Sequence, residues 1–138
     1  MIQLIIGEKG SGKTKSMIDL INESARKAEG HVICIEKSMK LTYSISHDVR
    51  VVDVDDYCIS GYEMFYGFIC GVLAGDYDIS EMYIDGILKI GGKDREGLGM
   101  LLHKLDEITR DIKVIITVSD SRDALPQSVL DFPTVTHE

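Results

Sequence analysis

The stretch IQLIIGEKGSGKT, residues 2–14, decides how this chain folds. Residues 2–6 form an apolar run without alternation, which is typical of a strand covered on both faces in a parallel sheet. After the glycine-rich turn, apolar residues recur at helical spacing: Met17, Ile18, Ile21, Ala25 and Ala28. The pattern predicts a helix over residues 13–29, with Gly30 as its stop. A central strand, a turn and a helix are therefore expected in direct succession.

The turn itself reads G-x-x-x-x-G-K-T, the Walker A pattern. Its glycines let backbone N–H groups turn inward into a concave nest, and the next helix adds unsatisfied N–H groups and a positive dipole end. Such a nest suits a di- or triphosphate, whereas the alternative is a glycine turn that only caps the helix. Lys13 is expected to reach the β- and γ-phosphates and the Thr14 hydroxyl to bind Mg²⁺. The expected phosphate-binding residues are Gly7, Glu8, Lys9, Gly10, Ser11, Gly12, Lys13, Thr14 and Lys15.

Length and composition narrow the class of protein. The 138 residues predict one domain, and 44% hydrophobic with 28% charged residues is typical of a soluble globular chain. A net charge of −8 argues against a nucleic-acid partner. The start lacks a basic leader and no apolar run is long enough to span a membrane, so we expect a cytoplasmic protein without a membrane partner. Cys34, Cys58 and Cys70 are widely spaced, and we expect buried thiols.

The remaining pattern alternates strands and helices. Strands are predicted at residues 31–36, 50–54, 81–85 and 113–119, with a short last strand at 134–136. The 50–54 strand alternates and is expected at an edge of the sheet. Helices are predicted around residues 62–73 and 98–108, and charged or polar loops at 37–48 and 86–99. This alternation predicts a three-layer αβα fold, class α/β, with a mostly parallel sheet of five or six strands.

The helix predicted from Tyr62 carries an unusual row of glycines. Gly67, Gly71 and Gly75 fall four residues apart, opposite the apolar stripe. Each interior glycine costs about 0.5–1 kcal/mol of helix stability relative to alanine. The helix is therefore either loose and interrupted, or closely packed on a second surface. This row and the 86–99 loop, predicted to be mobile, are the candidate contacts for a second copy of the chain or a protein partner.

Two acids are candidates for the chemistry. Asp85 ends a strand pattern, so its carboxylate is expected at the carboxyl edge of the sheet where the phosphate loop opens. With Thr14 it would bind Mg²⁺; the alternative is a solvent-facing acid at a strand end. Glu36, at the carboxyl end of the second strand, is the candidate to orient an attacking nucleophile, and its alternative is a solvated loop acid.

Other polar residues have less specific interpretations. Thr117 and Ser119 end the 113–119 strand, where a side chain either senses the γ-phosphate or caps the strand. Arg95 and Arg122 are arginine-finger candidates or solvated surface residues. The aspartates at 53, 55 and 56 are expected to be a solvated strand end, and the four histidines show no spacing typical of zinc ligands.

With these residues the chain resembles the P-loop nucleoside triphosphate hydrolase superfamily over most of its length. The order of Walker A, Asp85 and the Thr117 strand is similar to the RecA-like, additional-strand branch. That resemblance implies that the Thr117 strand lies between the strand at Ile2 and the one at Tyr83. A narrower similarity is to thymidine kinases, in four matching stretches: residues 7–14, residues 32–35, Tyr43-Ser44 to His47-Asp48, and Ile84-Asp85.

The resemblance has two departures that bear on function. Thymidine kinases carry a catalytic glutamate directly after the aspartate, where this chain has Gly86, and a zinc-bearing substrate domain for which it has no cysteines. The resemblance implies binding of ATP with Mg²⁺ and a weak or partner-activated ATPase activity. A kinase for a nucleoside or another small molecule, and a nucleotide-gated protein-binding module, remain alternatives. Walker A contacts phosphates, so the base preference stays open.

Overall fold

The computed structural model describes residues 1–38 and 44–137. In that part of the chain the strands are β1 (Ile2–Gly7), β2 (His31–Glu36), β3 (Val49–Asp53), β4 (Ile79–Ile84), β5 (Lys113–Ser119) and β6 (Thr134–His137). The α-helices are α1 (Lys13–Ala25), α2 (Tyr62–Gly75), α3 (Ile87–Gly91), α4 (Arg95–Ile108) and α5 (Gln127–Leu130). Short 3₁₀-helices span Val54–Tyr57 and Arg122–Ala124.

The six described strands form one sheet in the order β3-β2-β4-β5-β1-β6, and every pair is parallel. The α/β fold class is thereby confirmed. β1 pairs with β5 and β6 and is interior to the sheet, as its apolar run predicted. β3 is at an edge, as its alternation predicted. β5 separates β1 from β4, which is the order that the resemblance implied.

Helices cover both faces of the sheet and give three layers. On one face α1 packs with Met17 and Ile21 fully buried. On the other face α2 and α4 pack, with Phe65, Ile69 and Leu102 fully buried. Because interior strands are covered on both sides, their two alternating sets of side chains are both apolar, which explains the continuous apolar runs of the sequence.

Helix α1 ends at Ala25, four residues before the predicted end at Glu29. The chain has to turn there to start β2, where the His31 amide donates to the Asp78 carbonyl at 2.8 Å. Gly30 lies so close to that carbonyl that a Cβ atom would collide with it. The predicted length was wrong because the apolar spacing continues to Ala28, beyond the last helical residue. The chain turns there to reach β2, whose start is bonded to Asp78, and the spacing does not show this contact.

The prediction of a loop over residues 86–99 is wrong, because most of this segment is helical. Ile87 and Ile90 are three apart and both buried, which anchors α3 to the core. Asp94 caps α4 by accepting a hydrogen bond from the Gly97 amide at 3.1 Å. Five glycines in the segment obscured both short-range signals. Of the other predicted loop, residues 39–43, which include Tyr43 of the kinase-like pattern, lie outside the described residues.

The glycine row of α2 fits neither interpretation within the described residues. The helix is continuous over its 14 residues, and its predicted apolar stripe is confirmed by the burial of Phe65 and Ile69. A Cβ atom placed on Gly67, Gly71 or Gly75 would meet no described atom within 4 Å. The row therefore faces a space that no described residue fills. Its role in binding a second copy or a partner stays a prediction.

The expectations from composition have different outcomes. Cys34 is buried as predicted, but Cys58 is exposed and Cys70 is intermediate, so the prediction of three buried thiols is wrong. Cys58 ends a 3₁₀-helix in the left-handed conformation, with φ 56°, at a surface turn. Among the described residues, no helix combines the length and apolar character that crossing a bilayer requires. The cytoplasmic location stays a prediction.

Candidate phosphate-binding site

Most of the candidate residues meet at one edge of the sheet. Because the strands are parallel, β1, β5, β4 and β2 all present their carboxyl ends there. Gly7 is in register with Ser119, so the loop begins beside the end of β5. The Asp85 amide donates to the Ile35 carbonyl at 2.9 Å, which holds Asp85 beside the end of β2 and Glu36. Residues far apart in sequence are thus brought to the mouth of the loop.

The loop after β1 has a backbone that glycine adopts without strain. Gly10 and Gly12 are left-handed, with φ of 86° and 91°. The Ser11 amide donates to the Glu8 carbonyl at 3.1 Å and closes the turn. The Ser11 hydroxyl is buried and has no hydrogen-bond partner among the described residues. Since a buried unpaired polar group costs about 1–3 kcal/mol, an acceptor entering the loop would relieve this cost.

The N-terminus of α1 has the charges that an anion requires. Gly12 is its N-cap, and no side chain caps the helix. Its first turn contains Lys13 and Lys15 and no acidic residue. Cations at this end oppose the helix dipole by about 0.3–1 kcal/mol each at an exposed surface. A bound phosphate would attract both the lysines and the helix dipole and would offset that cost, so the helix end suits a phosphate ligand.

Lys13 is buried in the free protein, with 6% of its surface exposed. Its Nζ donates to the Glu8 carbonyl at 3.3 Å, and it forms no ion pair with a described carboxylate. Burial lowers the pKa of Lys13 below its usual 10.5; the charge of Asp85 opposes this shift and that of Lys89 adds to it. The ammonium is therefore poorly compensated where it stands, and an anion in the loop would stabilise it.

Asp85 is held by two threonine hydroxyls. Thr117 Oγ1 donates to Asp85 Oδ1 at 2.7 Å, and Thr14 Oγ1 lies 3.3 Å from the same oxygen. Thr117 is fully buried and also accepts a hydrogen bond from the Gly86 amide at 2.8 Å. Oxygen atoms alone form this group, which is the ligand chemistry that Mg²⁺ prefers. The contact seen for Thr117 is with Asp85, so its predicted contact with a γ-phosphate stays a prediction.

Gly86 has a backbone reason to be glycine. Its φ of 74° is in the left-handed region, and this conformation directs its amide to the Thr117 hydroxyl. A glutamate at this position would be strained. The departure from the thymidine kinase pattern is therefore part of the local fold around Asp85.

Glu36 is 1% exposed, so the alternative of a solvated loop acid is wrong. It shares one side of β2 with Cys34, which packs in the cluster under α1. Burial raises the pKa of the Cys34 thiol, and the charges of Glu36 and Asp85 raise it further. Both carboxylates therefore lie near one buried sulfur. Sequence reasoning missed the burial of Glu36 because it depends on the position of β2 between β3 and β4.

Other candidates lie outside this group. Arg95 donates from Nε to Asp120 at 2.5 Å, and Arg122 is exposed on a 3₁₀-helix, so a finger role for either stays a prediction. Asp53 is buried and caps the 3₁₀-helix after β3 by accepting from the Asp55 amide at 2.9 Å. The prediction of a wholly solvated strand end is therefore wrong at Asp53, whose role is structural.

Two features escaped the sequence patterns. His31, Asp76 and Asp78 place ligand atoms within 4.8 Å of one another at the opposite edge of the sheet, and His31 Nδ1 lies 2.7 Å from Asp76 Oδ2. His31 and Asp76 are 45 positions apart in the sequence, so residue spacing could not show this ion pair. Lys89, predicted only as part of a charged loop, has a charge that helps to lower the pKa of Lys13. Its sequence signal is a basic residue four positions after Asp85.

Comparisons with known proteins add no family assignment. No protein-family model matches the chain, and the search of curated proteins finds no match either. The functional interpretation therefore depends on the chain's own residues and their geometry.

Proposed function

We propose that this chain is a P-loop protein of the RecA-like branch that binds Mg²⁺ together with a nucleoside triphosphate, ATP in the first instance. The observation that carries the proposal is the burial of the Lys13 ammonium without an ion-pair partner among the described residues. It lies at an uncapped helix N-terminus, directly after a loop with two left-handed glycines. A polyphosphate supplies the negative charge and the acceptors that this arrangement lacks.

The described residues fit both groups. Residues 7–15 would hold the phosphates through backbone amides, the Lys13 ammonium and the Ser11 hydroxyl. Thr14 and Asp85 would hold Mg²⁺, and Thr117 orients the Asp85 carboxylate through its 2.7 Å hydrogen bond. Bound Mg²⁺ neutralises charge on β- and γ-phosphate oxygens. Lys13 would give up its 3.3 Å hydrogen bond to the Glu8 carbonyl when its ammonium turns to a phosphate.

We further propose slow hydrolysis in which Glu36 orients the attacking water. Gly86 supplies no side chain at the position that follows Asp85. Glu36 is a buried carboxylate at the end of β2, which neighbours β4. A positioned general base contributes about 10²–10⁴-fold to a rate. Because no base directly follows Asp85, efficient turnover is expected only when a partner or second copy completes the site.

The test measures Mg²⁺·ATP binding by calorimetry for the wild type and for Lys13→Ala. We expect the substitution to weaken binding about tenfold to a hundredfold, the effect of one hydrogen bond to a charged group. Lys27→Ala is the matched control, because Lys27 is exposed beyond the other end of α1 and pairs with Glu23. Thermal unfolding checks that each variant is folded. An ATP affinity unchanged by Lys13→Ala would contradict the proposal.

The same assay with Glu36→Gln separates binding from hydrolysis. We expect this variant to bind ATP as the wild type does, because no phosphate contact is removed, and to lose at least about a hundredfold of any hydrolysis rate. Hydrolysis at the wild-type rate would exclude Glu36 as the base while leaving the binding proposal intact. The kinase and the nucleotide-gated module stay predictions, since no observation on the described residues favours either.

A further inference from the structure

Lys89 is held in a fixed place at the edge of the sheet that carries the loop. It lies in α3, which is only five residues long. Ile87 and Ile90 on either side are buried in the core, and the Gly61 amide donates to the Ile90 carbonyl at 3.1 Å. The backbone of Lys89 therefore cannot swing away, while its side chain is exposed to solvent.

The stem of this lysine runs over Gly86. The Lys89 amide donates to the Gly86 carbonyl at 2.9 Å. Lys89 Cδ lies 3.5 Å from the position that a Cβ atom on Gly86 would take. Gly86 follows Asp85 and is bound through Thr117 to the Asp85 carboxylate. The Lys89 side chain thus starts beside the residue that follows the acid proposed to hold Mg²⁺.

Lys89 adds a second positive charge to the site. Its charge acts on Lys13 strongly enough to help lower the Lys13 pKa. The chain has 23 acidic and 15 basic residues, yet Lys89 forms no ion pair with an acid that the structure describes. Two lysines whose charges repel each other are an arrangement that an anion between them would stabilise.

The strand order indicates which phosphate of a nucleotide this anion would be. The loop follows β1 and Lys89 follows β4, with β5 between them. Two strand spacings are about 9–10 Å, so the ends of β1 and β4 are about that far apart, with the loop on the β1 side and Lys89 on the β4 side. The nest would take the inner phosphates and Lys13 would reach the β- and γ-phosphates, so the terminal phosphate would lie toward Asp85.

We propose that Lys89 binds the terminal phosphate of a nucleoside triphosphate, so that the site prefers a triphosphate to a diphosphate. The proposal rests on the proposed nucleotide binding and deepens it. On this proposal a diphosphate would be held by the nest and Lys13 and would lack the phosphate that Lys89 contacts. The preference therefore resides in one exposed side chain outside the Walker A loop, on an element that the sequence pattern did not predict.

The test compares Mg²⁺·ATP and Mg²⁺·ADP affinities by calorimetry for the wild type, Lys89→Met and Lys89→Arg. Lys93→Met is the matched control, because Lys93 is an exposed lysine on the segment between α3 and α4. We expect Lys89→Met to weaken ATP binding about tenfold or more and to change ADP binding by less than about threefold. Lys89→Arg keeps the charge and should retain most of the ATP preference, and Lys93→Met should leave both affinities unchanged.

The outcomes distinguish this proposal from the one on which it rests. If the wild type binds neither nucleotide, both fail. If the wild type binds ATP and Lys13→Ala weakens that binding as expected, while Lys89→Met alters both affinities equally or neither, only the role of Lys89 is overturned. The same follows if Lys89→Arg loses as much ATP affinity as Lys89→Met. Since Lys89 is exposed, unchanged thermal unfolding is expected for all three variants.

Discussion

Replacing Thr117 by valine removes the hydroxyl that holds Asp85 while keeping the shape of the side chain. Thr117 is fully buried. Its Oγ1 donates to Asp85 Oδ1 at 2.7 Å and accepts from the Gly86 amide at 2.8 Å. Valine can do neither, so one carboxylate oxygen loses its best donor and one amide loses its acceptor. The free energy of unfolding should therefore fall even without a ligand.

The size of this effect follows from the two bonds. A hydrogen bond to a charged group is worth about 1.5–3 kcal/mol, and a buried N–H left unpaired costs about 1–3 kcal/mol. The added methyl group returns about 0.8 kcal/mol of burial. We expect Thr117→Val to cost about 2–5 kcal/mol, a large part of the roughly 5–15 kcal/mol that stabilises a typical domain.

Urea unfolding followed by circular dichroism measures the difference. Thr109→Val is the matched control, because Thr109 is also buried and its Oγ1 makes a single neutral hydrogen bond, to the Leu105 carbonyl at 2.7 Å. That change should cost about 0.5–1.5 kcal/mol. A cost for Thr117→Val no greater than that for Thr109→Val would refute the argument that Thr117 bonds both Asp85 and Gly86.

Two further predictions concern stability away from the site. Gly71→Ala should raise the free energy of unfolding by about 0.5–1 kcal/mol, since its Cβ meets no described atom within 4 Å. Gly99→Ala should lower the free energy of unfolding by about 1–3 kcal/mol, because its Cβ would collide with Ser128. Urea unfolding measures both substitutions. If both changed stability in the same direction, the difference in packing around the two glycines would be contradicted. The hydrogen bond with Asp76 and its charge raise the pKa of His31 above 6.5, and the same bond lowers the Asp76 pKa. This pair stabilises the fold between about pH 3.8 and 6.5, where Asp76 is ionised and His31 is protonated, and it loses its contribution as the pH rises through the raised His31 pKa. The thermal midpoint should therefore fall on that rise in the wild type, and less in His31→Asn. Parallel profiles for the two proteins would disprove it.

The parts of the fold that sequence predicted are those that depend on neighbouring residues. The β1 strand, the glycine-rich turn and the start of α1 have their predicted bounds to within a residue. Strand β5 spans its predicted range of residues 113–119. Apolar runs and helical spacing are local signals. They are clear in this chain because the described strands lie in one parallel sheet that helices cover on both faces. Where a local signal was weak, as in the glycine-rich segment around α3, the prediction failed.

The candidate site depended on contacts between distant residues. Thr14 and Asp85 are 71 positions apart, and Thr117 and Asp85 are 32 apart. Their meeting follows from the strand order, which the spacing of residues along the chain does not encode. Glu36 looked like a solvated acid because a polar loop follows it, yet its position between strands buries it.

By itself, the sequence determined the loop of residues 7–14, and it is the basis for proposing a phosphate ligand there. Backbone conformation there depends on Gly10 and Gly12, which act through their own φ angles. Only the tertiary structure decided which polar groups surround that loop: a buried Glu36, a Thr117 bonded to Asp85, and Lys89 beside Gly86. The reason is physical, since burial and electrostatic contact are set by what packs across the sheet, and that depends on the whole chain at once.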